Sequence, residues 1–237
     1  VLSGIQQFVS NFQVAINPQI VQSYASGDKD RYLKLTYLSA KLSLYLMWII
    51  ALPIMASLNL ILDVWLGKEI VPEYTSQFVY IILFTGLFDA LGSSISVPLY
   101  ATGNIKHYQI ITSSIKFMVL PISYILYRIG FDPAASMYVS LFLAGIEQTS
   151  RVVIWGRLVE ESPLVYLNKV IFPALVIIGI SSFTIYIIGD YVATFSTIIS
   201  FGINTILSLL IAVVMIYFVG LDRIERNQIV NIVRKKI

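Results

Sequence analysis

Apolar residues run along this chain in six long blocks separated by short polar strips. The blocks cover roughly Leu38–Leu62, Phe78–Leu99, Tyr108–Tyr127, Ala135–Trp155, Val170–Ile188 and Phe195–Val219. Each supplies the roughly 20 mostly apolar residues that a helix needs to cross a hydrocarbon core. Helix is the predicted form, because an open sheet would leave unpaired backbone groups in lipid. Ahead of them, "VLSGIQQFVSNFQVAI" is apolar but threaded with Gln, Asn and Ser. It reads as the end of a further, incomplete span whose polar side faces a bundle interior or a cavity. Pro18 is expected to break it, leaving "AINPQIVQSYASGDKDRYLKL", Ala15–Leu35, as a polar loop. The predicted fold is all-α, a polytopic transmembrane helical bundle of about six full spans plus a partial N-terminal one. Residues 1–32 are then the end of a truncated span and a cytoplasmic loop, 33–219 a six-span unit and 220–237 a basic tail.

Basic residues orient these spans. Lys29, Arg31, Lys34, Lys106, Arg157, Lys169, Arg223, Arg226, Arg234, Lys235 and Lys236 fall in strips on one side, and only Lys68 and Arg128 on the other. Cytoplasmic loops carry the excess of Lys and Arg, so both ends of the six-span unit, the C-terminus included, are expected in the cytoplasm. On the outer side "LDVWLGKEIVPEY" places Trp65 and Tyr74 at an interface. In the tail, Leu221, Ile224, Ile229, Ile232 and Val233 recur at near-helical spacing against a basic face. That pattern suits either an interfacial helix with anionic lipid as its neighbour or a solvated tail.

Composition agrees with insertion. Mean hydropathy is +0.82, with 57% apolar and 12% charged residues among 237, far from soluble usage. A net charge of +3 needs no nucleic acid to explain it. There is no cysteine and one histidine, which leaves no thiolate or histidine-rich metal site; no metal or cofactor is expected. The start at Val1 has neither a basic leader nor a small-residue cleavage site, and reads as a truncated or internal start.

Five ionisable residues lie inside the predicted spans: Lys41, Asp89, Lys116, Glu147 and Arg151. A charge at mid-helix costs about 2.5–3.5 kcal/mol on insertion scales, so each asks for a partner or a watery cavity. At about 1.5 Å per residue, Lys116 and Asp89 sit about 14 and 16 Å from the inner face, level across a hairpin, and an ion pair between them is expected. Glu147 and Arg151 are four apart with Glu first, the favourable order. All five belong to the inner half, three positive and two negative. Either they line a slightly cationic inward pocket, or two pairs fix helix register while Lys41 reaches the headgroups. Pro53, Pro121 and Pro173 lie in or beside spans and are candidate hinges. Phosphate-cradling glycine loops, exposed carboxylate pairs and nucleophile–histidine spacings are absent, and the chain is not expected to be an enzyme.

Four strings, "NFQVAINPQIVQSYASGDKDRYLKL", "LPIMASLNLILDVWLGKEIVPEYTSQFV", "PLYATGNIKHYQI" and "LPISYILYRIGFDP", together resemble bacterial lipopolysaccharide and O-antigen flippases. These belong to the superfamily of multidrug, oligosaccharidyl-lipid and polysaccharide exporters. The closing "GLDRIERNQI" resembles the tails of such proteins from Bacteroidetes-type bacteria. The resemblance implies the C-terminal lobe of a two-lobe transporter of twelve to fourteen helices, a fragment without its N-terminal lobe, in the bacterial inner membrane. It implies flipping of undecaprenyl-diphosphate-linked oligosaccharide for surface polysaccharide biosynthesis. Lys41, Lys116 and Arg151 would then hold the lipid diphosphate, and Asp89 and Glu147 would balance charge or couple an ion. Other implied partners are the missing lobe and polysaccharide polymerase machinery. Two rival expectations are a drug/cation antiporter of the same superfamily and a polytopic polysaccharide-assembly enzyme.

Overall fold

The computed structural model describes residues 2–67, 71–103, 105–192, 197–222 and 225–226. Those residues form an all-α bundle, with no strand among them. The order is α1 Leu2–Ala25, α2 Lys29–Ala56, α3 Leu58–Leu66, α4 Thr75–Ala101, α5 Ile105–Phe117, α6 Val119–Ile129 and α7 Ala135–Val159. It continues with α8 Pro163–Tyr166, a π turn Leu167–Ile171, α9 Phe172–Val192, α10 Thr197–Met215 and a second π turn Ile216–Gly220. Five stretches are long and apolar enough to cross a membrane: Lys29–Ala56, Thr75–Ala101, Ile105–Ile129, Pro163–Gly189 and Ile199–Gly220. The sixth predicted span, α7, is 25 residues long and carries Glu147, Arg151 and Arg157. At about 1.5 Å per residue it is still long enough to cross.

The first polar strip departs from expectation. Helix α1 runs through Pro18 to Ala25, and α2 begins at Lys29, so the loop expected over Ala15–Leu35 is reduced to Ser26–Asp28. A proline removes one backbone bond, but α1 lies along both α2 and α4, and that packing holds the helix together. Asp28 caps α2, accepting the Arg31 backbone N–H at 3.1 Å. The expected tail helix lies almost wholly outside the described residues, as do Lys68, Arg223, Arg234, Lys235 and Lys236.

Prolines coincide with the interruptions. The α2–α3 break falls at Ser57, whose N–H donates to the carbonyl of Pro53. The α5–α6 break falls at Met118, three residues before Pro121. The first π turn ends two residues before Pro173. In each case the missing proline N–H leaves an upstream carbonyl unpaired, and the ladder reorganises nearby.

Loops gather at two ends. Lys29 Nζ donates to the carbonyl of Glu160 at 3.3 Å, which joins the α1–α2 turn to the α7–α8 turn. At the other end the carboxylates of Asp132 and then Glu73 raise the Tyr74 phenol above its usual range, so these two loops are neighbours. Among the described basic residues, Lys29, Arg31, Lys34, Lys106, Arg157, Lys169 and Arg226 belong to the first end and Arg128 to the second.

Helix α2 is the central post, packed against α1, α4, α9 and α10. Its Met47, Trp48 and Ala51 have no solvent exposure. Several buried polar atoms pair across the helices, which offsets the cost of taking them out of water. Trp48 Nε1 donates to Ser181 Oγ of α9 at 2.9 Å. Trp155 Nε1 of α7 donates to Tyr32 Oη at 2.9 Å, and that hydroxyl donates to the carbonyl of Pro98 at 3.1 Å. Three helices are thereby joined through one phenol. Tyr32→Phe removes both bonds and strands a buried indole N–H, an expected loss of about 1–3 kcal/mol. Thermal unfolding in detergent checks this, and an unchanged midpoint would show the relay to be incidental.

Candidate functional site

The charged layer is built where α4, α5 and α7 meet. Glu147 and Arg151 share a face of α7 that turns toward α4, and Arg151 Nη2 donates to Glu147 Oε1. The guanidinium lies flat on α4 because position 92 is glycine. A Cβ there would stand 2.8 Å from Arg151 Nη1, so the guanidinium would have to shift away from α4. Nη1 also donates to Ser96 Oγ at 2.9 Å. The Tyr108 hydroxyl of α5 pairs with the same Ser96 at 2.8 Å, and its ring centroid is 5.7 Å from the guanidinium carbon. Arg151 is thus held by a carboxylate, a hydroxyl and a π face at once.

Lys116 approaches from α5 and stands 3.6 Å from Glu147 Oε1. The pair expected on grounds of depth, Asp89 with Lys116, is therefore replaced by Lys116 with Glu147. The reason is lateral: α5 and α6 pack against α7, and only marginally against α4. Asp89 instead accepts from Gln6 Nε2 of α1 at 3.1 Å. It still feels the charges of Lys116, Glu147 and Arg151, so the four form one electrostatic group of zero net charge. The two cations differ in access, since the Lys116 side chain is 61% exposed and that of Arg151 13%.

Lys41 is not part of that group. Its side chain is 5% exposed and meets Glu225 Oε1 at 3.2 Å and Asp222 Oδ2 at 3.5 Å. It is buried against these two carboxylates and lines a separate cavity at the basic end.

Helix α1 contributes groups absent from the predicted site. Gln13 Nε2 lies 2.9 Å from Ser43 Oγ, 3.0 Å from Ser93 Oγ and 2.9 Å from Ser94 Oγ, tying α1 to α2 and α4. A cavity of about 200 Å³ beside it is lined by Gln6, Ser10, Gln13, Asp89 and Ser93 among others. The signal was present in the chain. Gln6, Ser10, Gln13 and Asn17 follow one another at steps of four, three and four, a single helical stripe. It is the polar side expected to face a bundle interior or cavity; the loop expected from Ala15 cut only Asn17 off from it.

No family model matches this chain, and neither the curated proteins nor the solved structures compared with it yielded a match. Among the described residues no group of acidic, histidine or cysteine side chains has the arrangement of a metal site.

Glu147→Gln leaves two cations sharing one neutral amide, an expected destabilisation of about 3–5 kcal/mol. Adding Arg151→Met restores most of that loss, because an apolar replacement removes the charge that needed a partner. Unfolding in detergent of the single and double variants reads the difference. Equal loss in both would mean the carboxylate does not act as the shared counter-charge.

Proposed function

We propose that this chain is a membrane-embedded transport module that moves an amphiphile with an anionic head group along the face made by α1, α4, α5 and α7. The substrate class is the lipid-diphosphate-linked oligosaccharide that the resemblance implies, carried from the cytoplasmic to the outer leaflet of a bacterial inner membrane. The Lys- and Arg-rich end is the cytoplasmic one.

One observation carries this reading. The bundle has two kinds of exposed face. On α9, α10 and the second π turn the exposed residues include Phe172, Leu175, Phe183, Ile206, Leu210 and Phe218, as contact with acyl chains requires. On α1, α4, α5 and α7 the exposed surface is mixed: Gln7, Asn11, Asp89, Ser93, Lys116 and Thr149 stand among apolar residues such as Phe8, Val14, Phe117 and Phe142. Measured along their helices, Asp89 and Lys116 lie about 16–18 Å from the inner ends, near the middle of a core about 30 Å thick. Polar groups at that depth are stable against water or another polar protein face, and unstable against lipid. A wet surface at mid-membrane is what a substrate path needs.

The supporting parts suit an amphiphile. Lys116 is the accessible cation, and Arg151, anchored behind it, reinforces the positive side. An open groove of about 750 Å³ between α4 and α7 is lined by Phe84, Phe88, Tyr138, Phe142, Thr149 and Ser150, apolar toward the outer end and polar toward the charges. Lys41, already matched by two carboxylates, drops out of this substrate surface.

A second reading, cation or drug antiport, is favoured by Asp89. Its carboxylate faces the cavity of about 200 Å³ and accepts from the neutral amide of Gln6, which leaves it able to neutralise a cation. Loss of cation-driven export in Asp89→Asn with surface polysaccharide unaffected would select that reading.

Two measurements test the proposal. Because the chain has no cysteine, single cysteines report accessibility cleanly. A membrane-impermeant, water-soluble maleimide is expected to label Asn11→Cys and Ser93→Cys, and not Ile206→Cys, in purified membranes opened to both sides. In a strain lacking its own O-antigen flippase, Lys116→Ala and Arg151→Ala in the gene carrying this chain are expected to lower surface polysaccharide at least tenfold, the scale of one lost charge-assisted contact. Wild-type polysaccharide levels in both variants would defeat the flippase assignment.

A further inference from the structure

A second charged cavity, of about 290 Å³, lies at the basic end and takes no part in the transport face. Three lysines line it: Lys34, Lys41 and Lys169. Lys169 is exposed, and its ammonium is 4.9 Å from the centre of the Tyr37 ring at the cavity wall. Lys41 is the buried member, and the charges that match it come from far along the chain, past the end of α10.

The seat of those carboxylates is well built. The Tyr45 hydroxyl donates to the carbonyl of Gly220 at 3.1 Å. A Cβ on residue 220 would stand 2.8 Å from the Tyr45 ring and 2.9 Å from Ile177, so the chain passes where only glycine fits. Leu221 is buried beyond it. The Asp222 N–H donates to Glu225 Oε2 at 2.8 Å, and Arg226 Nε donates to the carbonyl of Leu221 at 2.9 Å. These bonds present Asp222 and Glu225 to Lys41 as a pair.

A buried ammonium that loses its counter-charge is strongly destabilising. The two carboxylates can therefore leave Lys41 only if another anion takes their place. We propose that this cavity is a phosphate-binding site that the chain's own Asp222 and Glu225 hold shut, and that a phosphate-bearing ligand opens by replacing them at Lys41. The charge balance favours such an exchange. With the segment seated, the three lysines face four carboxylates, those of Asp30, Glu161, Asp222 and Glu225. With it displaced they face two, and the cavity becomes cationic. A phosphate monoester or diphosphate offers more acceptor oxygens than a carboxylate and can bridge Lys34, Lys41 and Lys169 together. The shared chemistry admits a lipid head group or a soluble phosphate. This site is independent of the transport reading, because it uses other residues and is read by binding alone.

Leu221→Cys places a single thiol at the buried joint of the segment. In detergent-purified protein its maleimide labelling is expected to be slow and to quicken several-fold with inorganic pyrophosphate. Calorimetry is expected to show pyrophosphate binding about tenfold tighter to Glu225→Gln than to the unmodified chain, since one competing anion is gone while Asp222 still pairs with Lys41. Lys41→Met should abolish that binding. Faster labelling in nanodiscs containing phosphatidic acid, without pyrophosphate, would identify a lipid head group as the source; an increase with pyrophosphate alone would identify a soluble one. Labelling indifferent to both, or equal affinity in Glu225→Gln and the unmodified chain, overturns the proposal.

Discussion

A charge inside a membrane-spanning bundle must bring its counter-charge with it, and the arrangement of this protein follows from that requirement. Glu147 satisfies two cations with one carboxylate oxygen. This works because α7 offers Glu147 and Arg151 on one face, and because α5 leans on α7 closely enough for Lys116 to arrive. Gly92 completes the arrangement by letting a guanidinium lie against the α4 backbone. Lys41 obeys the same rule with partners 181 and 184 residues away. The bundle closes on itself at that point, joining α2 to the chain beyond α10.

The same requirement divides the surface. Where side chains are matched or apolar, the helices can meet acyl chains, as on the outer sides of α9 and α10. Where Asp89, Ser93, Asn11 and Lys116 stand exposed, they cannot. The electrostatic group around Glu147 sits at the border between the two, half embedded and half open. Its neutrality offsets the cost of burying it, and its unequal access leaves Lys116 as its more exposed cation.

Much of the fold was legible in the sequence because length and apolarity are local properties. Five of the six predicted blocks correspond to helices apolar enough to cross, and the sixth to a helix of comparable length. The failure was one of azimuth. Depth arithmetic correctly placed Asp89 and Lys116 in one layer, but rise per residue says nothing about which neighbour a helix leans on. That choice was made by α5 packing on α7. The polar loop drawn around Pro18 failed for a related reason. Proline penalties are local, while the packing of Ile5, Val9, Gln13 and Ile20 against α2 and α4 is not, and it outweighs them. The partners of Lys41 were out of reach altogether, since spacing along the chain carries no signal for a contact between its two ends.

The first π turn has a separate effect. It holds one more residue than the α geometry allows for the same rise, so the residues beyond it are rotated by roughly 100° relative to an uninterrupted helix. Along Pro163–Val192, Lys169 belongs to the turn while Ile177 and Ser181 belong to the segment beyond it. A facing pattern extrapolated straight through would misassign one side or the other. The wide turn acts as a vernier: it lets a single continuous rod aim one stretch at the aqueous rim and the next at the central post, with no bend needed between them.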